Sequence, residues 1–281
     1  MSRLRIRHTT SFRYEAEVQA SYNEARMRPD MSDRQFLLSS QLIITPLSSQ
    51  HQFTDYWGTR VAAVEILSPH QELSIVSESL VEINDRPLTH DALGWSDLKA
   101  APSASAELTE LLGMTPLSTP TKEVVRGAHQ IAARSETPGS AAQEICEWIN
   151  DEMSYVPGVT AVHSTAAEAW KSKQGVCQDI SHITVGALRS VGIPARYVSG
   201  YLHPNDDAAV GELVEGESHA WVEWWEGGFV GFDPTNRKPV TTSHVVVGRG
   251  RDYTDVPPLR GVYDGPATSN HSVAVELTWE H

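Results

Sequence analysis

Along the first 85 residues, apolar and polar positions alternate. Leu4, Ile6, His8, Thr10 and Phe12 fall against Arg3, Arg5, Arg7, Thr9 and Ser11, the period of a half-exposed strand. Phe36 to Thr45 reads as a second strand, stopped by Pro46, and Gln52 to Trp57 with Arg60 to Leu67 flanks Gly58-Thr59 as a hairpin. Leu73, Ile75, Val81 and Ile83 fit a further strand that runs out at Asn84-Asp85. Strands joined by short turns predict an all-β domain over residues 1–90, an antiparallel sandwich or open barrel. Periodicity then lapses where Pro87, Pro102, Pro116 and Pro120 gather, so residues 91–118 are expected to form a linker with one short helix near Ala106 to Leu112.

From residue 119 the period lengthens. Thr119-Pro120 opens a helix whose buried stripe is Val124, Val125, Ala128, Ile131 and Ala132. Ser140 to Gln143 and Thr165 to Glu168 have capping-box form and open two more. The turn at Gly175 leads into a fourth, patterned by Ile180, Ile183, Leu188 and Val191 and ended by Gly192-Ile193-Pro194. Cys177 therefore falls at a helix N-terminus, where unpaired N–H groups and the positive end of the dipole favour the thiolate. Strands are expected at 195–202, 217–225, 229–233 and 244–247, with a last one over Val273 to Trp279.

Alternation in Ser218 to Trp225 puts His219, Trp221 and Glu223 on one strand face. The turn at Gly227-Gly228 then returns the chain to Asp233, so a histidine early in one strand comes near an acid late in the next. Cysteine, histidine and acid together make a nucleophile, a base and an orienting group.

The segments Gly175-Val176-Cys177-Gln178-Asp179, Gly192 to Tyr201, His219-Ala220-Trp221-Val222-Glu223 and Gly231 to Asn236 resemble, in order and spacing, the bacterial transglutaminase-like cysteine enzymes. The likeness is strong over residues 120–265, and the β-rich N-terminal part resembles the domain that precedes such cores. The resemblance implies an α+β fold: a papain-like, transglutaminase-like core of helices on an antiparallel sheet over residues 119–281, behind the all-β domain. It implies Cys177 as nucleophile, His219 as general base and Asp233 as orienting acid, acting on amide or peptide bonds through a thioester. Hydrolysis and transfer to an amine both stay open. A catalytically silent scaffold or binding protein is the alternative.

Other residues carry quieter readings. Cys146 is expected to be a buried hydrophobe and His182 a hydrogen-bonded histidine between helix and sheet. Trp221, sharing the His219 face, is the candidate for a substrate groove, and Trp224 for the core. Asp179 suits the first helical turn structurally. Arg196 and Arg251 are either carboxylate binders or internal ion-pair partners. A mixed zinc site from Cys177, His182, His219 and Asp233 lacks the paired ligand spacing of such sites, and no loop has the acidic spacing of a calcium site, so no metal or cofactor is expected. With 281 residues and a net charge of −14, neither nucleic acid nor a membrane is expected as partner; a peptide, protein or other amide is. No apolar block follows the basic N-terminus, and two cysteines do not make a disulfide framework, so a cytoplasmic location is expected.

Overall fold

The computed structural model of the chain describes residues 2–47, 49–85, 93–205, 208–265 and 268–280. The alternating N-terminal segments form β1 (Ser2–Val18), β2 (Ala20–Ala25), β3 (Gln35–Thr45), β4 (Ser49–Thr54), β5 (Arg60–Ile66) and β6 (His70–Ile83). The helices α1 (Trp95–Ala100), α2 (Ala106–Glu110), α3 (Lys122–Ala132) and α4 (Pro138–Glu152) follow. The short strands β7 (Ser154–Tyr155) and β8 (Gln174–Gly175) flank α5 (Ala166–Ser172), and α6 runs over Cys177–Ser190. The chain closes with β9 (Ala195–Leu202), β10 (Leu213–Trp225), β11 (Phe229–Asp233), β12 (Lys238–Pro239), β13 (His244–Gly250), β14 (Leu259–Asp264) and β15 (Ser269–Trp279).

A nine-stranded sheet runs β12-β11-β10-β15-β1-β6-β3, with β9 also paired to β10 and β13 added to β9. A second sheet, β14-β2-β5-β4, stacks on its N-terminal part around Tyr14, Val18, Met27, Val64, Ile66 and Ile75. The mixed α+β architecture is thus the one expected. At the end of the chain β15 pairs along β1 from Leu4↔Trp279 to Tyr14↔Ser269 and also pairs β10, and β14 pairs β2, so residues 259–279 join the N-terminal sheets as well as the core. The stretch expected to be a linker also holds α1 and α2, and the expected boundary at 90/91 lies among residues 86–92, outside the described residues.

Two helices start elsewhere than expected because a better cap is available. The Thr121 side chain accepts from the Val124 N–H at 3.3 Å, which leaves Pro120 outside α3. Thr137 caps α4 with Pro138 in its first turn, and Ser140 becomes the third helical residue. For α5 the expected box is present, Thr165 and Glu168 each holding the other's backbone N–H.

α6 is the centre of the core. Its residues from Asp179 to Arg189 are buried, between α3, α4 and α5 on one side and β9 and β10 on the other. Ala220, Val222 and Trp224 face this helix cluster, whereas Trp221 joins Val198 and Val246 on the far face, which is the alternation expected for β10. β10 links the two halves: Leu213–Gly216 pair with β15, and Glu217–Trp224 pair with β9. His219 sits just past that handover.

Candidate active site

The turn before α6 is fixed by Asp179. Its Oδ2 accepts from the Val176 N–H at 2.8 Å and from Thr160 Oγ1 at 2.7 Å, and the close approach leaves no room for a Cβ at Gly175. Burial pushes this carboxyl upward, against those hydrogen bonds. The half-buried Cys177 is thereby held as the first residue of α6. Its N–H belongs to the first helical turn and has no intrahelical acceptor.

His219 approaches Cys177 from β10, near enough for the sulfur to act on the imidazole. The other side of the ring is engaged by Asp233, with Nε2 2.7 Å from Oδ2, which leaves Nδ1 for the sulfur. Burial opposes a charge on this imidazole. The hydrogen bonds and negative charges of Asp233 and Cys177 outweigh burial and push its pKa up to about 10.

Asp233 has no exposed surface. Its Oδ1 accepts from the N–H groups of Thr235 and Asn236 at 3.0 and 3.1 Å, and its Oδ2 also accepts from Asn236 Nδ2 at 2.7 Å. A second histidine, His244 at the start of β13, reaches the same Oδ2 at 3.3 Å. Since His244 Nδ1 accepts from the Thr241 N–H at 3.2 Å, its proton is on Nε2 and is donated to Asp233. Burial lowers the pKa of His244, so it stays neutral. Burial alone would raise the Asp233 carboxyl, but the hydrogen bonds from His219 and His244 hold it far below the ordinary range.

The structure thus brings together Cys177, His219 and Asp233. Trp221 is a correction: it has no exposed surface and packs beside the His219 ring at 6.1 Å and edge-on to His244 at 5.3 Å, in space left by Gly200. It supports the imidazoles from within rather than lining a groove. His182 is separate from the cluster, its Nε2 accepting from the Tyr253 N–H at 3.1 Å, and burial lowers its pKa to about 4. Cys146 is fully buried, which pushes its thiol far up. Arg196 pairs with Glu223 at 2.6 Å and Arg251 with Asp255 at 2.9 Å, the ion-pair reading of both.

Sequence reading gave no role to His244 or Asn236; the latter was visible only as part of Asp233-Pro234-Thr235-Asn236, and nothing local marks the former. Exposed Tyr155 lies beside Gly175 in the β7–β8 ladder, and burial, with Cys177 and Glu217 nearby, raises its pKa to about 12. Among the described residues, His219, Asp233 and His244 also bring three possible ligand atoms within 4.8 Å. Their protons instead make an imidazole–carboxylate–imidazole chain, with both ring N–H groups directed at one oxygen.

A cysteine at the head of a buried helix, facing a histidine and acid on an antiparallel sheet, is the architecture of thiol-dependent acyl-transfer and protease-type folds. The chain matches the transglutaminase-like superfamily over residues 126–234 and the bacterial transglutaminase-like N-terminal region over residues 4–82. An uncharacterized protein of Mycobacterium leprae is 40% identical over 278 residues, covering 99% of each chain. The chain belongs to the transglutaminase-like superfamily. A protein-glutamine gamma-glutamyltransferase of Pseudomonas aeruginosa is 32% identical over 83 residues, 28% of this chain and 12% of that protein. The fold is that of a protein from Cytophaga hutchinsonii provisionally described as a cysteine protease: TM-score 0.77, 20% identity, 99% of this chain and 97% of the other. No described helix is long and apolar enough to cross a membrane.

Proposed function

We propose that the protein is a thiol-dependent acyl-transfer enzyme acting on amide bonds of proteins or peptides, with Cys177, His219 and Asp233 as its triad. The observation that carries this reading is the juxtaposition of Cys177, at the head of α6, with His219, whose ring is hydrogen-bonded at 2.7 Å to the buried Asp233. The Cys177 sulfur attacks the amide carbonyl, and the tetrahedral oxyanion is met by the Cys177 N–H at the head of α6. The protonated His219 gives its proton to the leaving amine as the C–N bond breaks, leaving a thioester. Water or a second amine then attacks the thioester, His219 takes the proton of the incoming nucleophile, and the C–S bond breaks to release the Cys177 thiolate beside the protonated His219.

The name of the Pseudomonas relative makes the glutamine side-chain amide the first acyl donor to try, with and without a primary amine. Two unpaired thiols suit a reducing compartment such as the cytoplasm. The test is iodoacetamide alkylation of the native protein at pH 6.5, read at each cysteine by mass spectrometry, alongside turnover of amide substrates. Cys177 is expected to react quickly and Cys146 only after unfolding, His219→Ala to slow the former, and Cys177→Ala to abolish turnover in a protein that still unfolds cooperatively. Turnover that survives in Cys177→Ala overturns the triad. A Cys177 inert to alkylation, with no turnover, leaves a scaffold.

A further inference from the structure

The N-terminal β-sandwich holds a charged site that the chemistry at Cys177 does not use. Between its two sheets lies a cavity of about 40 Å³, walled on its apolar side by Met27, Leu42 and Val61 and carrying Arg28, Arg60 and Gln52. No acidic residue lines it among the described residues. Arg26 and Arg249, by contrast, have acids: Arg26 contacts Glu24 and Asp55, and Arg249 contacts Asp30 and Glu223. Arg28 has only a long hydrogen bond to Gln52 Oε1 at 3.4 Å, and its buried Nε has no partner. Burial and then the charge of Arg60 bear on it in the same unfavourable sense.

Arg60 is exposed and Arg28 half-buried, so solvent screens their repulsion, but the buried Arg28 Nε is left at a cleft without a counter-charge in a chain of net charge −14. An anion between them relieves both the repulsion and the unpaired donor. The planar guanidinium fork matches the two oxygens of a carboxylate, and the apolar wall suits an aliphatic stem better than the surplus oxygens of a phosphate. We propose that this cavity is a binding site for a small carboxylate with a short aliphatic chain, its head between Arg28 and Arg60 and its stem against Leu42 and Val61. The enclosed space, about 40 Å³, takes only the end of a short stem while the head stays at the open mouth beside the arginines, and it excludes a nucleotide or a large cofactor.

The full-length protein is titrated with sodium butyrate against sodium chloride at matched ionic strength, following the melting temperature and the heat of binding. A saturable rise with butyrate is expected, with affinity weakened at least about tenfold in Arg28→Gln and in Arg60→Gln. Arg60 is exposed, so its variant keeps the test valid if Arg28→Gln folds poorly. Absence of a saturable response, or wild-type affinity in Arg60→Gln, overturns the site. Inorganic phosphate binding as tightly as butyrate overturns the carboxylate assignment.

Discussion

Asp233 accepts five hydrogen bonds: two from backbone N–H groups and one each from His219, Asn236 and His244. An amide cannot accept all of these, because its nitrogen would meet either two backbone donors or three side-chain donors. Asp233→Asn is therefore expected to lower turnover by at least about a hundredfold through the wrong His219 tautomer. His244 acts through Asp233 as a positioning residue. His244→Leu removes one donor and should slow turnover about tenfold and move the acidic limb of the pH–rate profile upward, whereas His244→Gln keeps an N–H and should retain most activity. A His244→Leu enzyme with an unshifted profile would remove that role. At this scale the three residues of the proposed triad could be singled out because Cys177, His219 and Asp233 each sit at a nameable place: a helix start, a strand face, a strand end. His244 was not, since it reaches Asp233 only through the pairing of β13 with β9, and alternation states which face a residue takes but not which strand becomes its neighbour.

The elements follow local rules until burial intervenes. The capping box of α5 was legible to the residue, while α3 and α4 begin where threonine caps compete better than the serine or proline nearby. Arg189, in the last turn of α6, went unremarked in sequence because a cation there is ordinary. In the fold it is buried and donates to the carbonyls of Ala195, Gly113 and Arg251 at 2.8–3.1 Å, tying the nucleophile helix to three separate segments. Burial lowers its pKa to about 10, still charged at neutral pH. Arg189→Met leaves those acceptors unsatisfied at about 1–3 kcal/mol each, so a loss of about 3–5 kcal/mol is expected once relaxation admits some water. Urea unfolding measures it, and a midpoint within error of wild type would show that the three carbonyls find other donors.

At the scale of the whole molecule, the last strand joins the first, and His8 is buried in the sheet they share. Pattern revealed β15 as a strand; its pairing with β1, 275 residues away for Leu4 and Trp279, is fixed by tertiary packing that no local period encodes. His8 lies in this sheet with 1% exposure, its Nδ1 2.9 Å from the Tyr201 hydroxyl of β9, and His182 is enclosed in α6. Burial lowers each pKa from 6.5 to about 4. Between those values the unfolded chain binds more protons than the folded one, so stability rises with pH across that window and falls on acidification, by up to about 1.4 kcal/mol per pH unit for each histidine. His219 works in the opposite sense: with its folded pKa up at about 10, its contribution is complete below 6.5 and is lost only as pH rises toward 10. Glu223, held down at about 2 against burial by Arg249 and Arg196, gives up its contribution only below the ordinary carboxylate range. The buried neutral histidines therefore govern the interval from pH 6.5 to 4.5. The melting temperature is expected to fall steeply there, and His8→Gln, which can still hydrogen-bond Tyr201 and Thr10, to lower the slope by about a third, since burial also lowers His244. A wild-type curve flat over that interval would mean that His8 and His182 reach water, or a counter-charge, as readily folded as unfolded.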